Sequence, residues 1–150
     1  MRKLVTLVGL LVVMGLANAT TVGAAGPGPV TINVHGLFAV PGGTFTAEGP
    51  ICGSGTTSDA TRIVERGHDV FLILNRKTFV CDDGSGTFTL RIDAVFRACD
   101  QTDTSSWSVI DGTGRYDHLT GQGTGVGTYF PGDGCEADGI DDLLIGLVRG

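Results

Sequence analysis

HDVFLILNRKTFVCDDGSGTFTLRIDAVFRAC, residues 68–99, holds the strongest structural signal in the chain. In its second half Phe88, Leu90, Ile92, Ala94 and Phe96 occupy alternate positions, separated by Thr87, Thr89, Arg91, Asp93 and, beyond them, Arg97. A period of two puts the apolar set on one side of a β-strand and the polar set on the other. The first half, 68–81, reads as a long strand that is apolar at its centre. Asp82-Asp83-Gly84-Ser85-Gly86 is turn chemistry, because Asp and Gly tolerate positive φ. The two strands therefore make a hairpin that frames the fold.

Similar segments flank the hairpin. VTINVHGLF (30–38) alternates, VPGG (40–43) is a turn, and GTFTAEGPI (43–51) sets Phe45, Ala47 and Ile51 against Thr44, Thr46 and Glu48. CGSGTTSDA (52–60) reads as a loop of small residues and TRIVERG (61–67) as a short or edge strand. Further strands are expected at SSWSVI (105–110), GQGTGVGTYF (121–130) and IDDLLIGLVRG (140–150), with at most one helical turn at RYDHLTG (115–121). No segment sustains a helical period. Seven or eight strands with Gly-rich connections indicate a β-sandwich or a closed barrel. Gly121, Gly123, Gly125 and Gly127 share one face of their strand, leaving a bare wall on which Trp107 or Tyr116 is expected to lie.

Residues 1–25 combine Arg2 and Lys3 with an apolar run from Leu4 to Leu16 and small-residue sites ending at Ala19 and Ala25. This pattern is a secretory signal peptide cleaved after Ala19 or Ala25, which predicts an extracellular protein. The run is shorter than the roughly 20 residues that span a bilayer, so no membrane span is expected in the mature form. Residues 26–29 (GPGP) read as a linker and 30–150 as one β domain. Removing Arg2 and Lys3 leaves eight basic residues against sixteen acidic ones, a surface that disfavours nucleic acid. Cys52, Cys81, Cys99 and Cys135 are even in number and too widely spaced for a zinc site, so two disulfides are expected. Cys81 and Cys99 sit at opposite ends of one hairpin strand, about 40 Å apart at roughly 3.3 Å per residue, and cannot pair.

Candidates for chemistry are few. GQGTGV (121–126) lacks the dinucleotide spacing and a following helix, and no phosphate loop occurs. The acidic residues Asp133, Glu136, Asp138, Asp141 and Asp142 do not match a calcium-loop pattern, and His35, His68 and His118 are scattered. CGSGT (52–56) follows a strand but leads to no helix, so it is not a nucleophile elbow. No metal and no cofactor are called for. Glu48 and Asp93 would be lumen carboxylates only if the polar faces of their strands turned inward, against the habit of small barrels.

WSVIDGTGRYDHLTGQG (107–123), preceded by FVCDDGSGTFTL (79–90), resembles secreted bacterial members of the allene oxide cyclase-like group, which is related to the dirigent proteins. The resemblance spans about residues 30–130. It implies an all-β, antiparallel, eight-stranded, calycin-like barrel stabilised by disulfides, with a central cavity and a tendency to form homo-oligomers. None of the family's catalytic side chains aligns with this chain. The resemblance, together with the Gly-rich loop after Cys52, favours Cys52–Cys81 and Cys99–Cys135. The expected function is to bind or orient a small hydrophobic molecule, with Phe45, Phe88, Leu90, Ile92, Phe96 and Trp107 as the inner wall. Gly121, Gly123, Gly125, Gly127 and Tyr116 are expected to be structural. A cyclase or isomerase using a lumen carboxylate, and a barrel packed shut as a structural or interaction module, are the alternatives.

Overall fold

The computed structural model describes residues 26–150, so the signal-peptide assignment lies outside the described residues. Eight strands follow in order: β1 (Gly28–Leu37), β2 (Gly43–Glu48), β3 (Ser54–Gly67), β4 (Val70–Cys81), β5 (Gly86–Arg97), β6 (Thr102–Gly114), β7 (Thr120–Phe130) and β8 (Gly139–Arg149). Each pairs antiparallel with its neighbour in sequence, and β8 returns to β1 from Gly28↔Val148 to Leu37↔Gly139. That last pairing closes the sheet and decides between barrel and sandwich in favour of the barrel. No helix among the described residues is long and apolar enough to cross a membrane.

Several boundaries differ from the sequence reading: β6 extends past the expected 105–110 at both ends, β2 stops at Glu48, and two further differences bear on the wall. β1 starts at Gly28, so half of the Gly-Pro stretch belongs to the barrel. Most of the expected loop 52–60, from Ser54 to Ala60, is instead the first half of β3. Its small residues answer a packing need: a Cβ on Gly55 would stand 2.6 Å from the Phe45 ring and against the β4 backbone at Val80. Small side chains there signal crowding inside the wall rather than a break in the strand.

The alternation seen in the sequence sets the two faces. Phe88, Leu90, Ile92 and Ala94 point inward and are buried, while Arg91 and Asp93 form an outward ion pair at 2.7 Å. At one end of the barrel Phe45, Phe79 and Phe88 pack ring against ring, with Phe79 and Phe88 stacked at 4.7 Å between centroids. Tyr116, from the turn after β6, seals that end edge-on to Phe88, its hydroxyl 3.1 Å from Ser85 Oγ. Burying such rings contributes roughly 25 cal/mol per Å² of apolar surface.

The bare wall of β7 faces inward, and Trp107 fills it. A Cβ on Gly123 would come within 2.6 Å of the indole ring, and one on Gly146 of β8 would also collide with it. The indole Nε1–H donates to the Thr124 carbonyl at 3.1 Å, which fixes the ring flat on the wall. Tyr116 takes no part there and packs over Gly112 instead.

Cys52–Cys81 ties the closed end, with Cα atoms 5.9 Å apart, and Cys99–Cys135 joins two loops at the other, with Cα atoms 4.7 Å apart. At this second end the wall is incomplete. β2 is only 6 residues long, and its pairing with β3 stops at Gly43↔Thr57. The rest of β3, Ser58–Gly67, pairs with β4 alone and is largely exposed. The segment 38–42 spans the resulting gap.

Candidate functional site

The open end of the barrel contains a cavity of about 620 Å³. Ile63, Ile73, Ile92, Ala94, Phe96 and Ile140 supply its apolar walls, and Leu37, Phe38 and Val40 form the rim at the gap in the wall. The rim is apolar yet accessible: Phe38 is 58% exposed, Val40 56% and Ile63 63%. Aromatic rings continue inward from it, with Phe38 and Phe96 tilted against Tyr129 at 6.3 and 5.0 Å between centroids.

The floor is polar, and its members come from five strands. Lys77 of β4 is 5% exposed, and its ammonium lies 3.0 Å from Asp59 of β3 and 3.5 Å from Asp142 of β8. Asn75, two residues before Lys77 on the same face, donates from Nδ2 to Asp59 at 2.6 Å. Asp103 of β6 is 6% exposed; it accepts from the Tyr129 hydroxyl at 2.9 Å and from the Gly127 amide at 3.2 Å. The amide can approach because Gly127 has no side chain; a Cβ there would come within 2.8 Å of the Asp103 carboxylate.

Burial dominates the electrostatics. It raises Asp103 above the ordinary carboxylate range, with the bonds from Tyr129 and Gly127 acting in opposition. It raises Asp142 as well, against the pull of Lys77 and with the help of the Asp103 charge. The Tyr129 hydroxyl is pushed up by burial and then by its carboxylate neighbours. Asp103 therefore keeps the capacity to hold or give up a proton closer to neutral pH than a surface aspartate would.

Of the six residues expected to form a binding wall, only Ile92 and Phe96 line the cavity. Phe45, Phe88, Leu90 and Trp107 face inward too, but they belong to the packed core at the closed end. The shared alternation phase put all six on the correct face; it carries no information on height along the barrel axis. Glu48 and Asp93 point outward, so neither is a lumen carboxylate. The true lumen carboxylates are Asp59, Asp103 and Asp142, each in phase with inward residues of its strand. Lys77, in phase with Ile73 and Phe79, carried the same signal in the stretch 68–81.

The acidic residues near the C-terminus do not converge. Asp141 turns outward to His35 at 2.7 Å, Asp142 turns inward to Lys77, and Asp133 caps its own loop by accepting from the Cys135 amide at 2.9 Å. His35 stacks on Phe130 beside a shallow outer groove, and His118 lies 3.7 Å from Asp117 at the closed end. The cysteines beside Asp133 are joined in a disulfide, so their sulfurs do not act as thiolate ligands. No family model, curated protein or solved structure matches this chain.

Proposed function

We propose that the protein is a secreted barrel that takes a small, largely apolar molecule through the gap between segment 38–42 and β3 and holds it in the cavity. One observation carries this reading: a cavity of about 620 Å³ whose accessible rim carries Phe38, Val40 and Ile63 and whose charged groups are gathered at the floor. That volume lies within the roughly 300–1,000 Å³ typical of small-molecule sites. Exposed apolar rims mark surfaces that exchange water for a partner. The two disulfides are compatible with an extracellular setting. Membership of the allene oxide cyclase-like group is part of the proposal and rests on residues 79–90 and 107–123. A cavity also weighs against a barrel packed shut.

Titration of the purified protein with Nile red, followed by native mass spectrometry of protein exposed to a phenolic and lipid extract, tests the reading. Saturable fluorescence and a retained molecule are expected. Silence in both experiments would overturn it.

A second reading has its own support. Asp103 and Tyr129 form a buried proton-bearing pair at the cavity floor, the arrangement general acid catalysis of an isomerisation or cyclisation needs. This reading moves the catalytic carboxylate from Glu48 or Asp93 to Asp103. It predicts that Asp103→Asn retains a bound substrate and no longer converts it.

A further inference from the structure

The floor of the cavity has more acceptors than donors. Asp59, Asp103 and Asp142 bring three carboxylates, while Lys77 is the one cationic side chain among the residues lining the cavity. Lys77 already serves two of them, Asp59 and Asp142. The Tyr129 hydroxyl is committed to Asp103, and the Asn75 amide to Asp59. That last bond fixes the orientation of the Asn75 amide and leaves its Oδ1, a buried acceptor, without a partner among the described residues. Buried acceptors without donors are costly, and a ligand able to supply donors gains what their isolation costs.

We propose that the molecule held here carries a cationic, hydrogen-bond-donating head, a primary amine on an apolar body, with the ammonium set among Asp103, Asp142 and the Asn75 carbonyl. This deepens the binding reading above and rests on it. The body would lie along Ile73, Ile92 and Ile140, and Phe96 and Tyr129 offer ring faces of the kind that favour a cation. An anionic head is the wrong complement: it would add a fourth negative charge around an ammonium that is already shared. Asp103 of β6 and Asp142 of β8 both stand in register with Gly127 of β7, so the two carboxylates flank one position that carries no side chain, and a cation set over it answers both.

Three probes with the same ten-carbon tail separate the head group from the tail: n-decylamine, decan-1-ol and decanoate, each displacing Nile red at pH 7 in about 0.15 M salt to screen the acidic outer surface. Decylamine is expected to bind about tenfold or more tightly than decanol, with decanoate weakest, as fits a charge-assisted bond to a buried acceptor. Asp103→Asn and Asp142→Asn should each reduce the amine-over-alcohol ratio, and the outward Asp93→Asn should leave it unchanged. Equal binding of amine and alcohol, or tightest binding of decanoate, would overturn the cationic head and leave the binding reading intact. Failure of Nile red and all three probes to bind would overturn both. Should a floor variant fail to fold, the comparison of three heads on the unaltered protein still decides.

Discussion

The two halves of the barrel use the same eight strands and spend their inward positions differently. In the closed half these positions carry Phe45, Phe79, Phe88, Leu90 and Trp107, packed in one apolar cluster. In the open half they carry Asp59, Asn75, Lys77, Asp103 and Asp142 around a void. Charges taken from water rarely stabilise a fold, even when paired. The comparison teaches that the closed half holds the barrel together and so lets the open half keep an arrangement that does not.

The sharpest way to break that division is to hollow each half in turn. Phe79→Ala should cost about 3–5 kcal/mol in urea unfolding, because the ring is fully buried and its neighbours cannot collapse into the space. Phe96→Ala, at the mouth, should cost less than half as much and should weaken Nile red binding instead. Equal losses of stability would erase the distinction.

Overpacking tests the boundary between the halves. Gly123→Val places a branched side chain against the Trp107 ring and should destabilise by about 1–3 kcal/mol, with a shift in tryptophan emission as the indole is displaced. An unchanged melting temperature with unchanged emission would show that the bare wall of β7 is not a seat for the indole.

The pH dependence of stability separates the two halves by the direction of their shifts. Asp103 and Asp142 have folded-state pKa values raised above 3.8, so between that value and the raised ones the folded state binds more protons than the unfolded chain. In that window stability should fall as pH rises. Asp83, on the closed-end turn, is shifted down by its bonds from Ser85, so its contribution is lost only as pH falls below 3.8. Melting curves in steps of pH should show the first slope, and Asp103→Asn should flatten it; a slope unchanged in that variant would place the coupling elsewhere.

The smallest effect belongs to the outer wall. Arg91→Ala removes an exposed ion pair with Asp93 and should change stability by about 0.5 kcal/mol or less. A larger loss would mean that the outer face contributes to holding the two halves together.

The strands were largely legible because burial on one face of a strand forces an alternation that the sequence displays, but alternation left sandwich and barrel open, and only the pairing of β1 with β8 closes the sheet. Phe88 to Phe96 and the glycines of β7 show the alternation most plainly. The segment 52–60 misled because small residues serve two physical ends, loop flexibility and tight packing, and only the position of the Phe45 ring tells them apart. The site was less legible. Lys77 and Asp142 stood in phase with apolar neighbours, a local signal, but their meeting depends on β4 and β8 facing one another across the lumen. The height at which the core ends is set by the short β2, and a strand's length says nothing of the hole it leaves until the sheet closes.

The pairing of Gly28 with Val148 has a practical consequence. Both ends of the described chain leave the barrel at the closed end, side by side and opposite the mouth. A short peptide joining them would turn the molecule into a ring, and a cut in the turn 82–85 would give the chain new termini at that same end without interrupting any strand. A surface or carrier attached through either terminus would hold the molecule base-down, with the mouth directed away from its support.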